Sequence, residues 1–473
     1  MTLPPRRLPR EAPTMERMGS LDAVFIAVED SVNHMHIGSV GIFEGPTPAY
    51  EAVRALIEAK LPLVPRYRQR VREAPASIGR PLWIDDVDFD LEFHLRHTAL
   101  PPRDRYGLEN LVGRVMSHPL DRRQPLWEMW FVEGLGRGKW ALLSKVHHCM
   151  VDGVAGSDLL AAVMDLEPNA PLPDSGEWTP EPEPSRVELA RYTGEMTVES
   201  LAGVVRGGAD AVRHPARSAR RVRELAGGLG RAVAPARRGG SSLTGPIGPR
   251  RRWARARVPL DDVKAVGHAF DATVNDVVLT AVARGFRELL LSRGEPVAGR
   301  TITTLVPVST RAADARGRLD NRVSAVYARL PIGIDDAADT LRAVHDHMAE
   351  LKVSHEIDAS NAIIGAGDIV PPVVAAVLAR AIVHGQEIVQ TVATNVPGPQ
   401  VPLFVCGRRM LAAYPYVPIA GHIRIGVAIW SYCGEVYIGI TGDWHGAPDV
   451  DHLAREIDAA FEHLTKEATR ATL

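Results

Sequence analysis

The chain contains little cysteine and little lysine. Three cysteines, Cys149, Cys406 and Cys433, occur among 473 residues, too few for the disulfide framework of a secreted domain. We therefore expect a cytoplasmic protein. Lysine supplies six of the 55 cationic residues, and the formal net charge is −2. With so little net positive charge, the sequence argues against a nucleic-acid-binding protein.

Several functional signals are also missing. Residues 1–20 hold arginines and prolines but no apolar core of a secretory leader. The longest apolar stretch, residues 369–379, is too short to cross a bilayer. The GxSxG elbow of serine hydrolases and the HExxH zinc motif do not occur. These absences disfavour a covalent serine mechanism and a zinc centre, and we expect no metal.

Residues 147–153 (HHCMVDG) carry the clearest chemical signal. The apolar run 140–146 before them predicts a strand, and residues 157–166 predict a helix, so the two histidines lie where a strand gives way to a loop. A neutral imidazole can take a proton from a hydroxyl and return it to a departing thiolate. A histidine pair alone is more often structural than catalytic, but Asp152 and Gly153 at this spacing favour catalysis. Direct attack of an activated alcohol on a thioester is then the simplest mechanism.

This stretch resembles the HHxxxDG motif of the CoA-dependent acyltransferase superfamily, and the chain as a whole resembles its bacterial wax ester synthase/diacylglycerol acyltransferase branch. Six further elements of that branch recur in order. They are residues 21–25 (LDAVF), 35–38 (MHIG), 125–128 (PLWE), 275–276 (ND), 307–309 (PVS) and 395–399 (NVPGP). Two departures are mild, because Thr394 replaces the usual Ser before NVPGP and Asp320 replaces a Gly before Asn321.

The resemblance implies roles for individual residues. His148 would be the general base, His147 would support the geometry of the loop, and Asp152 would hold the loop through a buried ion pair. A buried carboxylate needs a cationic partner, but the sequence does not show which arginine supplies it. The supporting or substrate-binding residues would be Gly153, Pro125, Leu126, Trp127, Asn275, Asp276 and Asn395.

Three of these motifs also have structural interpretations that the sequence leaves open. Thr273 and Asp276 have the spacing of a capping box at the start of a helix, and a helix start also suits developing negative charge. Trp127 lies in an apolar stretch typical of a core, whereas the resemblance places it near an acyl tunnel. The NVPGP element has strong turn chemistry, and we expect a turn at a domain interface.

Composition predicts the domain boundaries. We expect a disordered extension over residues 1–17, an N-terminal domain over 18–185, a basic helical linker over 186–245 and a C-terminal domain over 246–473. Residues 171–185 are rich in proline and acidic. By resemblance, the fold class is α/β, with two chloramphenicol-acetyltransferase-like sandwich domains and an active-site tunnel between them.

The linker is unusual in its charge. Residues 206–238 hold nine arginines against Asp210 and Glu224, a local charge of +7. Such a segment suits an anionic membrane or lipid-droplet surface, although a solvated helix between domains has the same composition. We expect peripheral association of a cytoplasmic enzyme with the inner membrane or lipid droplets.

The resemblance implies an enzyme that transfers a long-chain acyl group from acyl-CoA to diacylglycerol, and also to long-chain alcohols. Acyl-CoA is a substrate, and we expect no cofactor. Two alternatives stay open at this point. One is an acyltransferase for a polyketide or glycolipid alcohol, because acceptor choice depends on tunnel shape. The other is a non-catalytic lipid-binding protein on the same fold, which the intact HHxxxDG motif disfavours.

Overall fold

A computed structural model describes residues 15–75, 79–102, 104, 106–151, 162–173, 176, 178–214, 241–309, 323–353, 372–385 and 388–472. Two six-stranded sheets and one three-stranded sheet make up its β structure. The predicted α/β class, with two domains, is confirmed by the helices that accompany these sheets.

The first large sheet has the strand order β12-β13-β2-β7-β6-β5. Neighbouring strands are antiparallel except for the parallel pair β5 and β6. The strands are β2 (His36–Phe43), β5 (Leu95–Ala99), β6 (Trp127–Glu133), β7 (Trp140–His147), β12 (Phe404–Val405) and β13 (Arg408–Tyr416). The helices of this half of the chain are α1 (Ser20–Val28), α2 (Tyr50–Lys60), α3 (Leu91–His94) and α4 (Gly107–Met116). Strand β7 confirms the strand predicted before the two histidines.

The second large sheet has the order β10-β9-β11-β14-β15-β8. Strand β11 runs parallel to both of its neighbours, and the other pairs are antiparallel. The strands are β8 (Arg251–Pro259), β9 (Thr301–Ser309), β10 (Val323–Pro331), β11 (Thr391–Pro397), β14 (Ile425–Tyr432) and β15 (Glu435–Asp443). The helices are α6 (Leu260–Ala269), α7 (Val274–Ser292), α8 (Ala337–Val353), α9 (Pro372–Gly385) and α10 (Val450–Thr472). Helices α6, α7, α8 and α10 pack together over this sheet and share its apolar core.

One segment of the C-terminal half completes the N-terminal sheet. Strand β13 pairs with β2 from Gly38 to Phe43, so β12 and β13 lie in the sheet that carries the histidine pair. Its side chains Met410, Ala413 and Tyr414 belong to the N-terminal core. Residues 404–416, which the predicted boundary gave to the C-terminal domain, therefore lie in the N-terminal sheet. Composition could not show this exchange, because a strand has the same apolar pattern in either sheet.

A small third sheet bears on two other predicted boundaries, the one between residues 17 and 18 and the one between residues 185 and 186. It has the order β1-β4-β3, formed by β1 (Glu16–Arg17), β3 (Gln69–Arg72) and β4 (Leu82–Asp85). Residues 16 and 17 are therefore ordered, although we expected them in a disordered extension; residues 1–14 lie outside the described part. Helix α5 (Arg186–Arg213) packs Leu189, Tyr192 and Met196 into the same cluster as Leu82 and Ile84.

The linker interpretation holds only in part. In the segment 171–185, Arg68 lies over the ring of Trp178, with 4.3 Å from the guanidinium carbon to the ring centroid, and Glu183 pairs with Arg70. This segment is therefore attached to the N-terminal domain. The arginines from Arg217 to Arg238 lie outside the described residues, as does the first half of the helix predicted over 157–166. In its second half residues 162 and 163 are helical, but Asp165 pairs with Phe404 as an isolated β-bridge, so the prediction of helix up to residue 166 is wrong. In the described part, no helix is both long enough and apolar enough to cross a membrane.

Candidate active site

The two histidines lie at the end of β7, as the sequence predicted. His147 is the last residue of the strand, opposite His36 of β2, and His148 begins a single 3-10 turn, His148–Met150. The backbone of this turn is fixed on both sides. The N–H of His147 donates to the carbonyl of Leu126 at 2.9 Å, and the N–H of His148 donates to the carbonyl of Met35 at 2.8 Å.

His147 is fully buried and faces a carboxylate. The backbone N–H of Cys149 donates to Nδ1 of His147 at 3.2 Å. Because a backbone N–H can only donate, Nδ1 is an acceptor and the imidazole proton is on Nε2. That nitrogen lies 3.5 Å from Oε1 of Glu29. His147 is thus held by the protein on both sides of its ring, in agreement with the supporting role that the resemblance implied.

Glu29 is the centre of a buried polar cluster. Its carboxylate lies 3.2 Å from Nε2 of His36 and accepts hydrogen bonds from Arg122, at 2.9 Å from Nη2 and 3.2 Å from Nε. Burial alone would raise the pKa of Glu29, but the adjacent imidazoles of His147 and His36 outweigh it and lower that pKa. Burial lowers the pKa of His36 to about 3. At neutral pH, Glu29 is therefore ionised beside a neutral His36, and Arg122 is its counter-ion.

His148 is the accessible member of the pair. It is half-buried, and its ring stacks on Phe25 of α1, with centroids 4.1 Å apart. Desolvation lowers the pKa of His148 to about 4, so the neutral imidazole dominates at physiological pH. Its Nδ1 is buried with no hydrogen bond to another of the described residues, and Nε2 is therefore the nitrogen available to a substrate.

The neighbouring thiol is not a nucleophile of the usual kind. Cys149 is buried, and burial raises the pKa of its thiol well above the ordinary value. The thiolate is the reactive form of cysteine. The site therefore presents an imidazole without a thiolate beside it, consistent with the direct mechanism expected from the sequence.

The PLW element supports the histidine turn from within the core. Pro125, Leu126 and Trp127 are all buried. The Trp127 indole stacks on His94 at 4.5 Å, and its Nε1 donates to the carbonyl of Tyr67 at 2.8 Å. The core interpretation of Trp127 is thus correct, and its ring does not contact His148 in the way a tunnel residue beside the base would. The chemical contribution of the element is the Leu126 carbonyl that binds His147.

The structure brings together two predicted residues that are 120 positions apart. Nδ2 of Asn395, near the end of β11, donates to Oδ1 of Asn275 at 3.1 Å. Asn275 lies in the first turn of α7, and both side chains are half-buried. The pair therefore leaves the Nδ2 protons of Asn275 for another acceptor at a helix N-terminus, which favours developing negative charge.

Asp276 has the structural role. Thr273 and Asp276 form the predicted capping box, with side-chain to backbone bonds of 3.3 Å and 3.0 Å. The carboxylate also lies 2.9 Å from Nδ1 of His345 on α8. Asp276 is almost fully buried and its Oδ2 makes both contacts, so the capping interpretation is confirmed.

Asp152 and Gly153 lie outside the described residues, and the arginine expected beside Asp152 stays a prediction. Between the domains, a cavity of about 320 Å³ lies against α4, β8 and α10. Its walls include Glu109, Arg255 and Asp458, and none of the predicted site residues lines it.

Comparison with known sequences decides the family. The model of the wax ester synthase/diacylglycerol acyltransferase catalytic domain matches residues 18–278, and the model of the WS/DGAT C-terminal domain matches residues 319–465. The chain belongs to the wax ester synthase/diacylglycerol acyltransferase (WS/DGAT) family. It is therefore an acyltransferase, as the sequence predicted.

Relatives of this WS/DGAT family member extend along nearly its whole length. The probable diacylglycerol O-acyltransferase tgs1 of Mycobacterium tuberculosis (strain H37Rv) is 37% identical over 466 residues, with 96% of this chain and 97% of the relative covered. The putative diacylglycerol O-acyltransferase Rv1760 of the same strain is 30% identical over 469 residues, with 95% and 90% covered.

Solved structures share the fold. The wax ester synthase/diacylglycerol acyltransferase from Marinobacter aquaeolei VT8 superposes with a TM-score of 0.68 at 23% identity, covering 96% of this chain and 100% of that one. The first condensation domain of the calcium-dependent antibiotic synthetase superposes with a TM-score of 0.59 at 16% identity, covering 98% of each chain.

Sequence reasoning missed Glu29 and Arg122. The motifs around them were recognised, but neither residue belongs to one. One weak signal existed, because Glu29 ends the apolar run of α1 and precedes two histidines spaced as on one face of a strand, His34 and His36. An acid at that place suggests a buried partner, but nothing in the sequence pairs it with an arginine 93 residues away.

Proposed function

We propose that this enzyme transfers a long-chain acyl group from acyl-CoA to the hydroxyl of diacylglycerol, forming triacylglycerol, and that long-chain alcohols serve as a second acceptor. Family membership and the names of its relatives support diacylglycerol as the acyl acceptor. No cofactor takes part in this proposal, because the thioester is already an activated acyl donor.

The state of His148 carries the proposal. A half-buried imidazole with a lowered pKa is neutral, and its Nε2 can take a proton from an acceptor hydroxyl as the oxygen attacks the thioester carbonyl. The C–S bond then breaks, and the same nitrogen returns the proton to the CoA sulfur. Phe25 fixes the plane of the ring during both transfers.

Two further groups would act around the base. The Glu29 carboxylate would hold the ring of His147, the residue before the base, in its orientation. The Asn275 amide, anchored by Asn395, would contact the substrate from the C-terminal domain. Donors of this kind stabilise a tetrahedral oxyanion when they are aimed at it.

The test is thiol release from a long-chain acyl-CoA by the purified enzyme, with diacylglycerol and a long-chain alcohol offered separately and the lipid products resolved. We expect His148→Ala to lose a factor of about 10² to 10⁴ in kcat, the usual contribution of a histidine base. His97→Ala is the matched control, since His97 is an exposed histidine paired with Glu133. Near-full activity of His148→Ala would refute the assignment, and absence of both products from a folded protein would refute the acceptor.

We also propose that the enzyme binds lipid surfaces through its basic segment. Both substrates have limited solubility in water and are found at such surfaces. The local charge of +7 over residues 206–238 supports this. Replacing Arg217, Arg220, Arg221 and Arg223 by glutamine should lower co-sedimentation with anionic vesicles at low salt. Neutral vesicles are the control, and unchanged binding to anionic vesicles would remove this part of the proposal.

A further inference from the structure

The segment between α1 and β2, residues 29–35, contacts both His147 and His148. Its first residue supplies the Glu29 carboxylate that faces His147, and its last supplies the Met35 carbonyl that accepts the N–H of His148. The two ends are also joined, because the N–H of Met35 donates to Oε1 of Glu29 at 3.4 Å. We call this segment the support loop.

The middle of the support loop is held by the C-terminal domain. The N–H of Gly421 donates to Oδ1 of Asn33 at 2.7 Å, and Nη2 of Arg251 donates to the carbonyl of Val32 at 2.5 Å. Both side chains that make these contacts, Asn33 and Arg251, are almost completely buried. Hydrogen bonds of fixed geometry therefore link the position of the support loop to the position of the C-terminal domain.

Asn33 joins the two sets of contacts. While Oδ1 binds Gly421, its Nδ2 donates to Oδ2 of Asp30 at 2.9 Å and its backbone N–H donates to Oδ1 of the same carboxylate at 2.8 Å. Asp30 follows Glu29 directly. The side-chain amide of Asn33 is thus joined by one hydrogen bond to the C-terminal domain, at Gly421, and by another to Asp30, the residue next to Glu29.

We infer that the support loop is a positioning element that couples the placement of the C-terminal domain to the alignment of His148, with Asn33 and Arg251 as its positioning residues. The physical reason is that an imidazole must lie within hydrogen-bond reach of the acceptor hydroxyl, and a displacement of about 1 Å can cost up to a hundredfold in rate. This inference rests on the proposed role of His148 as the base.

The experiment measures kcat and the KM for acyl-CoA of Asn33→Ala. We expect kcat to fall about tenfold and KM to stay within about twofold, because the variant displaces the proposed base and removes no group that the proposed function assigns to acyl-CoA binding. Glu109→Gln is the matched control: it weakens another polar contact between the domains, the partly buried ion pair with Arg255 at 2.7 Å, but does not touch the loop. An equal loss of kcat in the control, or an unchanged kcat in Asn33→Ala, would overturn the inference.

A rescue variant separates positioning from loss of structure. Asp30→Asn combined with Asn33→Asp reverses the amide and the carboxylate, so that the hydrogen bond between them and the acceptor for Gly421 are both kept. We expect this double variant to recover kcat to within about threefold of the unchanged enzyme. No recovery in a protein with the unchanged melting temperature would count against positioning by Asn33.

A second double variant links the effect to the base. In a His148→Ala background, Asn33→Ala should cause no further loss of the residual rate, since the group that it positions is gone. A further tenfold loss there would show that Asn33 acts elsewhere and would overturn the inference. If His148→Ala itself keeps its activity, the proposed function fails, and that outcome is read from the single variant alone.

Discussion

The two six-stranded sheets differ in the kind of polar group that they bury next to predicted site residues. At the end of β7 in the N-terminal sheet, the buried groups are charged or titratable, namely Glu29, His36 and Lys145, and Glu29 pairs with the partly exposed Arg122. Near the end of β11 in the C-terminal sheet, the corresponding groups are two neutral amides, Asn275 and Asn395.

The difference reflects two chemical tasks. A base must be held in one orientation and must carry a transient positive charge, so ionised neighbours close to it are useful although their burial is costly. A group that only donates a hydrogen bond to a substrate gains nothing from an ionised neighbour, and a neutral amide can be buried at smaller cost. The carboxylate of Asp276, which follows Asn275 in the chain, caps the helix through Oδ2.

The largest effect is expected from removing the charge at the N-terminal end. Glu29→Gln should lower kcat by about a hundredfold and destabilise the fold by about 2 kcal/mol, because Arg122 loses its carboxylate and His147 loses its partner. Steady-state thiol release and urea unfolding measure the two effects. If kcat of Glu29→Gln matched that of Glu109→Gln, the charged cluster would have no special part in the chemistry.

A smaller effect is expected at the amide pair. Asn275→Ala should lower kcat about tenfold, because it removes one neutral hydrogen-bond donor, and should leave the melting temperature nearly unchanged since the side chain is only half-buried. The same assay measures it. An unchanged kcat would leave Asn275 as a structural partner of Asn395 and would end the comparison as a functional one.

The contrast between the two sheets can also be tested at Asp276, for which we expect a structural role only. Asp276→Asn should cost about 1 kcal/mol of stability, through the weakened capping box and the lost partner of His345, while kcat of the folded enzyme stays within about twofold. Urea unfolding followed by the activity assay tests this. A large loss of kcat at constant stability would contradict the capping role.

The pH dependence should be the weakest effect of all. Because burial lowers the pKa of His148 to about 4, the basic form persists as the pH falls from 7 to 5.5, and kcat/KM should change less than twofold. If the base were a histidine of ordinary pKa, kcat/KM would fall about eightfold over this range. Glu29, with its pKa lowered, stabilises the fold above the pKa of an ordinary carboxyl and loses this contribution only at lower pH. An acid limb near pH 6.5 would contradict the buried state of His148.

Sequence reasoning reached the local features of this protein. The strand that ends at His147, the capping box of Thr273 and Asp276, and the core position of Trp127 each follow from patterns within a few residues. The resemblance added candidate roles for residues in distant motifs, and the hydrogen bond between Asn275 and Asn395 brings two of those motifs into contact.

Other features could not be read from any local pattern. The exchange of residues 404–416 into the N-terminal sheet depends on which strand edge is available after folding, and both sheets accept the same alternation of side chains. The ion pair of Glu29 with Arg122 likewise has no spacing rule, because the two residues meet only after α1 has packed beside the histidine turn.

The sequence by itself therefore determined the family, the acyl-transfer chemistry and the residue that we propose as base, because each depends on residue types at short and regular spacing. Only the tertiary structure decided that Glu29 faces His147, and that Asn33 and Arg251 connect the support loop to the other domain. These contacts depend on distances between segments far apart in the chain. Such distances are fixed by how the sheets and helices pack, and they leave no periodic trace in the sequence.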